Sequence, residues 1–432
     1  MSSDQSMTLI RESGRSCMSC ASKAYVASGV RLDSIATPGE QRMVEPATSL
    51  ESATLQGQVG PSRVQQPKAS SRSASLDGDG AGCPGTISVI VPVHQDSPLF
   101  QRCLGSIRAA LRPDDEVIVV VDGVSDGPAQ VAAQFGMRVV KTGARRGPAA
   151  ARNLGAQLAR GEFLFFTDAD VAVPETILHQ VVEAFQEHPE ASAVIGSYDD
   201  CPSEANLLSQ YKNLLHHFVH QRAQEEGYTF WGAGSAVRRA VFLELGGYDE
   251  RYRQPSIEDI ELGYRLRAAG HRIFVCKTLQ VKHLKRWTAA RLFKSDFFHR
   301  ALPWTELILG TGSFENDLNI SRSNRIKVAL AFCLLGVLGV AWSWPPALVA
   351  GMVFGLLLLA MDAPLLRFFQ QKRGLWFALG TIPWHWFHYT YSGVAFGYGL
   401  ILHLLGGRGR RQQKLAGRGS GVRKQPAGHP NP

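Results

Sequence analysis

With 432 residues, a net charge of +9 and seven scattered cysteines, the chain is long enough for more than one domain and is not built as a disulfide scaffold. Apolar residues are sparse over 1–85 and concentrated after Arg325. Much of the positive excess sits in an acid-free tail (Arg408, Arg410, Arg411, Lys414, Arg418, Arg423, Lys424) directly after an apolar region, so its expected partner is an anionic membrane surface and no nucleic acid.

Residues 1–85 mix Ser, Gly, Gln, Arg and Pro, with only short apolar pieces such as Ala24–Ala27. They lack the apolar core of a signal peptide and are expected to be disordered. Cys17 and Cys20 within them have no second pair at zinc-like spacing. From Thr86 the pattern becomes short β-branched runs alternating with helical stretches. Ile87–Val93 reads as a strand, Pro98 starts a helix to about Leu111, and Glu116–Val121 is a second strand ending at Asp122-Gly123. A helix to Phe135, a short strand Met137–Val140 and a helix opened by Gly147-Pro148 follow. This alternation with short links predicts an α/β domain whose mostly parallel sheet is covered on both faces.

Phe163-Leu-Phe-Phe-Thr-Asp168-Ala-Asp170 is a short apolar run ending in two acids. Strand alternation predicts that Asp168 and Asp170 point to one side, at the strand end where ligands gather in open α/β sheets. No Lys or Arg stands beside them in the sequence. Two such carboxylates suit Mg²⁺ or Mn²⁺, with phosphate oxygens and water completing the shell. A helix from Pro174 to about His188 and a strand Ala191–Ile195 come next. Leu207–Glu226 reads as helical, with His216, His217 and His220 expected on a solvated face. Phe230–Val237 predicts a glycine-interrupted strand, where Gly232 and Gly234 let another group approach the backbone. Glu258 and Asp259 open a helix to Ala269, a position where the helix dipole favours acids.

Ile326 to about Trp342 is almost wholly apolar, and Ala347–Met361 is a second apolar run. Leu375–Leu405 is aromatic-rich and carries Pro383 and His385, so a re-entrant or interfacial segment is expected there. Arg322, Arg325 and Lys327 precede the first run, and Arg367, Lys372 and Arg373 follow the second. The positive-inside rule puts both groups and the basic tail on the cytoplasmic side of an inner or plasma membrane, with the α/β domain in the cytoplasm, which a hairpin of two spans satisfies and a third full span would not.

Taken together, the motifs between Thr86 and about Trp304 resemble family 2 glycosyltransferases, which have the GT-A fold. On that resemblance Pro92, Val93 and His94 end the first strand and line the nucleoside pocket, and Asp122 contacts base or ribose. Gly147-Pro-Ala-Ala-Ala-Arg152-Asn153 lies beside the nucleotide. Asp168 and Asp170 bind the metal, Asp168 also reaching the donor, and Asp259 is the catalytic base with Glu258 beside it. Trp231 to Gly234 lie near the acceptor. His283-Leu-Lys-Arg286-Trp287 stands where processive members carry Q-x-x-R-W. With His283 in place of Gln, the expectation is single-sugar transfer, His283 near the metal or diphosphate, and Arg286 and Trp287 near the acceptor.

The implied layout is a disordered segment 1–85, a GT-A domain 86–305, an interfacial linker 306–325, a membrane region 326–405 and a basic disordered tail 406–432. The implied reaction is metal-dependent, inverting transfer from a nucleotide-sugar, a UDP-sugar, to a lipid-linked or envelope-glycan acceptor. A sugar nucleotidyltransferase would need a glycine-rich basic loop after Ile87, which is missing. A non-catalytic nucleotide-sugar binding protein would tolerate loss of Asp168, Asp170 or Asp259, yet all three are present.

Overall fold

The computed structural model describes residues 83–312 and 321–405. Nearly all of the leader 1–85, including Cys17 and Cys20, and the basic tail from 406 lie outside the described residues. In chain order the first elements are β1 (Cys83–Val93), α1 (Pro98–Ala110), β2 (Glu116–Val121), α2 (Gly127–Gln134), β3 (Arg138–Lys141), α3 (Pro148–Leu158) and β4 (Gly161–Phe166). Then come β5 (Val171–Ala172), α4 (Ile177–Glu187), β6 (Ala191–Tyr198), α5 (Leu207–Gln221), β7 (Glu226–Gly227), β8 (Ser235–Arg238) and α6 (Arg239–Glu244). The domain continues with α7 (Glu258–Ala268), β9 (Arg272–His283), α8 (Ala289–Lys294), a π-helix (Ser295–Ala301) and α9 (Leu302–Thr311). Three long helices close the chain: α10 (Arg322–Ala341), α11 (Ala347–Arg373) and α12 (Leu375–Leu405).

The strands form one mixed sheet in the order β3-β2-β1-β4-β8-β6-β9-β5, with β7 beside β9. β3, β2, β1 and β4 are parallel neighbours, and β6 and β9 are parallel to each other. β8 runs antiparallel between β4 and β6 and so joins the two halves. β1, β2, β4 and β6 are buried on both faces, which is why Ile87, Val89, Ile90 and Val91 in β1 form a continuous apolar run without alternation. Each crossover returns the chain so that the loops after β1, β2 and β4 open at one edge. Local signals fix those returns: Pro98 sits in the first turn of α1, capped by Ser97 Oγ accepting from Phe100 N at 3.1 Å.

Two sequence expectations change here. The glycine-interrupted strand is shorter than its pattern: only Ser235–Arg238 pairs, and 230–234 form a loop. The three histidines of α5 do not face solvent. His217 and His220 are buried and donate from Nδ1 to the carbonyls of Tyr198 and Gly196, at 2.8 and 2.9 Å, while His216 stacks on His220 with centroids 4.0 Å apart. They hold α5 against the C-terminal end of β6, whose Gly196 and Tyr198 carbonyls they satisfy.

The last three helices pack on one another and on the α/β domain. α10 and α11 are long and apolar enough to cross a membrane. The segment expected to be re-entrant is one continuous helix, with Pro383 inside it. At 31 residues it extends about 45 Å. α9 runs across the expected boundary at 305, and α10 begins at Arg322.

Gly263 in α7 lies where a Cβ would stand 2.3 Å from the Phe230 amide nitrogen, whereas a Cβ at Gly310 in α9 would meet nothing within 4 Å. Gly263→Ala is expected to cost about 1–3 kcal/mol, and Gly310→Ala to be neutral or slightly stabilising. Thermal unfolding midpoints of the detergent-solubilised chain check this; equal shifts would contradict the close approach.

Candidate active site

The site begins with the loop before α3. Asp122, just after β2, accepts from the backbone N–H of Arg146 and Gly147 at 2.7 and 3.0 Å, so its carboxylate pins this loop. Gly147 has φ +98°, and a Cβ there would lie 2.5 Å from the Arg253 carbonyl oxygen. Pro148 then starts α3. Arg152 follows, 5% exposed, with its guanidinium fork split between two acids. Nη1 donates to Glu258 Oε1 at 3.0 Å and Nη2 to Asp168 Oδ1 at 2.6 Å. The cation also lies 5.5 Å from the Tyr248 ring centroid.

The expectation that no cation stands beside the two acids therefore holds only along the chain. In space Arg152 pairs with Asp168, and Lys285 Nζ is 3.7 Å from Asp170 Oδ2. Both acids lie in the loop after β4, not on the strand. Pairing of β5 with β9 places Val171 opposite His283, and Leu284 N donates to the Asp170 carbonyl at 2.8 Å. That ladder brings His283 Nε2 to 3.8 Å from Asp170 Oδ2. Burial and the nearby Lys285 push the His283 imidazole down to about 3, so it is neutral and keeps a lone pair.

Among the described residues no group of three or more His, Cys, Asp or Glu is assembled for a metal ion. The donor set nevertheless fits a hard cation: the side chains of Asp168 and Asp170 are 35% and 28% exposed. Carboxylate oxygens suit Mg²⁺ or Mn²⁺, which take the remaining ligands from phosphate and water.

At the start of α7, Glu258 is buried and its Oε2 accepts from Ser256 N at 2.8 Å. Asp259 Oδ2 accepts from Gly232 N at 3.1 Å, and Oδ1 from Ile260 N at 2.8 Å. Burial first, then the neighbouring Glu258, pushes the Asp259 carboxyl up to about 6, against the opposing pull of Arg300, the Gly232 N–H and Arg152. A carboxylate poised there accepts a proton near neutral pH.

The other expected residues divide. Pro92 is half-buried, the Val93 carbonyl accepts from Asp122 N at 2.7 Å, and His94 is exposed at the strand end. Gly232 lies against Arg152 and Asp259, whereas Trp231 is buried edge-on to Tyr198 at 4.9 Å. Ala233 is buried, and a Cβ on Gly234 would lie 2.9 Å from Val281. Asn153 has both ends of its amide on the backbone of Tyr248, at 2.8 and 2.9 Å, so it holds the turn after α6 and is not offered to a nucleotide. Arg286 is exposed. Trp287, expected at the acceptor, packs instead in the cluster of Tyr211, Leu214, Leu365 and Phe369 that joins α5 to α11. Its apolar ring suits that interface.

Sequence reasoning missed Tyr248 under Arg152 and Tyr198, which stacks on His283 with centroids 4.6 Å apart. Both tyrosines come from strand ends and turns with no motif of their own.

Acids and a buried arginine thus gather at the open edge of the α/β sheet. Residues 88–246 match the family described as Glycosyl transferase family 2. Over 218 residues the chain is 28% identical to the validoxylamine A glucosyltransferase of Streptomyces hygroscopicus subsp. limoneus, covering 43% of this chain and 48% of that protein. It is 31% identical over 117 residues to the glycosyltransferase GlyG of Streptococcus pneumoniae serotype 4, covering 26% of this chain and 38% of that one. The chain thus spans about half the length, or less, of these curated relatives. Among solved structures, the mannosyltransferase PcManGT from Pyrobaculum calidifontis in complex with GDP-Man and Mn²⁺ shares 19% identity at a TM-score of 0.46, covering 72% of this chain and 86% of that one.

Arg152→Met is expected to destabilise the protein by about 3–5 kcal/mol, because Glu258 is left buried without its cation. Urea unfolding of the two proteins reads it; a variant as stable as the unaltered chain would contradict the pairing.

Proposed function

We propose that the chain is a membrane-associated glycosyltransferase. It transfers a sugar from a nucleotide-sugar, a UDP-sugar, to a lipid-linked or envelope-glycan acceptor, with inversion and with Mg²⁺ or Mn²⁺. The observation that carries this reading is the Arg152 fork joining Asp168 to Glu258, beside an Asp259 held near neutrality.

In the reaction an acceptor oxygen forms a bond to the anomeric carbon, and the bond to the nucleoside diphosphate breaks with its electron pair. The acceptor proton passes to Asp259. One carboxylate on the face opposite the leaving group suffices for inversion. Asp168 and Asp170, with His283 beside them, would hold the cation, which supplies Lewis-acid compensation of the diphosphate charge. Arg152 keeps Asp168 and Glu258 in place, and the Gly232 N–H orients Asp259.

Membrane placement is supported by α10 and α11. Lys372 and Arg373, at the end of α11, reach Asp200 and Gln210 of the α/β domain at 2.5 and 2.6 Å. Arg322 and Arg325 open α10. A hairpin with both basic ends beside the domain agrees with a cytoplasmic domain on an inner or plasma membrane. α12 adds a third apolar helix to a multi-pass region.

Turnover should be lost as pH falls through about 6, because Asp259 must be ionised to accept the proton. Folding has the opposite sign: with a raised carboxyl pKa, the stability linked to this group is lost as pH rises from about 4 to about 6. Asp259→Asn is expected to lower kcat by about 10²–10⁴-fold while nucleotide affinity stays within a few-fold. A pH–rate profile flat between 5 and 7, or an Asn variant of normal turnover, would refute the assignment.

A further inference from the structure

A cavity of about 560 Å³ lies between α5, the π-helix and α9 on one side and α10 and α12 on the other. That volume is in the range of small-molecule sites, about 300–1,000 Å³. Its charged lining is Lys212, Asp296, Arg300 and Arg325. Asp296 is already matched: Lys212 Nζ donates to it at 2.7 Å and Tyr391 OH at 3.0 Å. Among the described residues the Arg300 guanidinium makes no hydrogen bond or ion pair, although it lines this cavity. Leu215, Trp304 and Ile308 add apolar wall from the α/β side, Asn324, His388 and Ser392 add polar groups, and the rest of the apolar wall comes from the long C-terminal helices. Val328 and Phe332 belong to α10 and Phe396 to α12; Phe332 and Phe396 are also exposed on the outer surface, at 41% and 37%.

The inner end of the cavity adjoins the catalytic acids by two routes. His216 lines the cavity and packs on Trp231 with centroids 4.6 Å apart, and the next residue, Gly232, donates to Asp259. Ser256 Oγ, two residues before Glu258, donates to the carbonyl of His299 at 2.8 Å, next to Arg300. The Arg300 charge is felt at Asp259, which it pulls toward the ionised form.

We propose that this cavity is the acceptor site, and that the acceptor is a lipid with a phosphate headgroup. Arg300 positions the headgroup, and the hydrocarbon chain leaves between α10 and α12 past Phe332 and Phe396. Resting on the transferase reading, this names its acceptor class. Lys212 is matched by Asp296, whereas the Arg300 guanidinium at the cavity wall offers an anion the planar fork that phosphate accepts. The apolar walls select a chain that enters from the bilayer, since free phosphate would have no use for them.

The test is native mass spectrometry of the full chain in detergent micelles, titrated with a polyprenyl phosphate or with the polyprenol of equal chain length. The phosphate should bind at least tenfold more tightly, and inorganic phosphate should not displace it. Arg300→Gln should abolish that preference, Arg300→Lys should retain part of it, and Ala329→Trp, which fills the cavity, should exclude both lipids while UDP binding is unchanged. Equal binding of the two lipids, a preference untouched by Arg300→Gln, displacement by inorganic phosphate, or unchanged lipid binding in Ala329→Trp would overturn the proposal. Donor hydrolysis by the same samples separates the two readings. Arg300-dependent lipid preference with no donor cleavage sinks the transferase and leaves the cavity, and donor cleavage without preference does the reverse.

Discussion

Arg152 is the residue on which the site depends. It is buried and bridges the acid of the loop after β4 to the acid at the start of α7, segments 90 residues apart in sequence. Such an ion is tolerated in a low-dielectric interior only because two carboxylates and the Tyr248 ring face it. The bridge also explains an asymmetry. Glu258 has the guanidinium, so the adjacent Asp259 sits beside a negative neighbour with only Gly232 and Ile260 amides and the more distant cations to favour its charge. One arginine thus fixes the acid loop and leaves the other carboxyl poised to take a proton.

Delivery of Arg152 is a backbone matter. Gly147 permits the left-handed turn, Asp122 ties its amides, and Pro148 opens α3 in register. Asn153, one residue on, grips Tyr248 through its backbone, so the turn that carries the ring is tied to the helix that carries the cation.

The alternation of strand and helix from Thr86 is legible because the parallel strands are short runs of β-branched or, in β4, aromatic and leucine residues. The acids Asp168, Asp170, Glu258 and Asp259 are legible because they interrupt apolar or helical patterns. What local sequence does not carry is pairing at a distance. Nothing near Asp170 announces His283 or Lys285; the β5–β9 ladder puts them there. Nothing around His217 and His220 shows that their Nδ1 atoms answer the carbonyls of β6, so a polar stretch read as solvated is buried. Trp287 looked like a sugar platform by position, yet its ring fills the seam between α5 and α11. Pro383 looked like a break, but neighbouring helices keep α12 continuous.

The same seam joins the apolar helices to the sheet through polar groups. Lys327 of α10 pairs with Asp362 of α11 at 2.9 Å, Tyr389 donates to Asp362 at 2.8 Å, and His385 links Tyr389 to Tyr211 of α5. Ionisable groups among apolar helices are costly unless paired, and here the pairing fixes α10, α11 and α12 to the helix that carries His217 and His220. The most direct test of the account is release of nucleotide from a panel of UDP-, GDP- and TDP-sugars in native membranes containing the chain, with and without Mn²⁺ or Mg²⁺. The account predicts metal-dependent release from one UDP-sugar that disappears in Asp168→Ala/Asp170→Ala. Release that survives the double substitution, or tight nucleotide binding with no release from any donor, would contradict it.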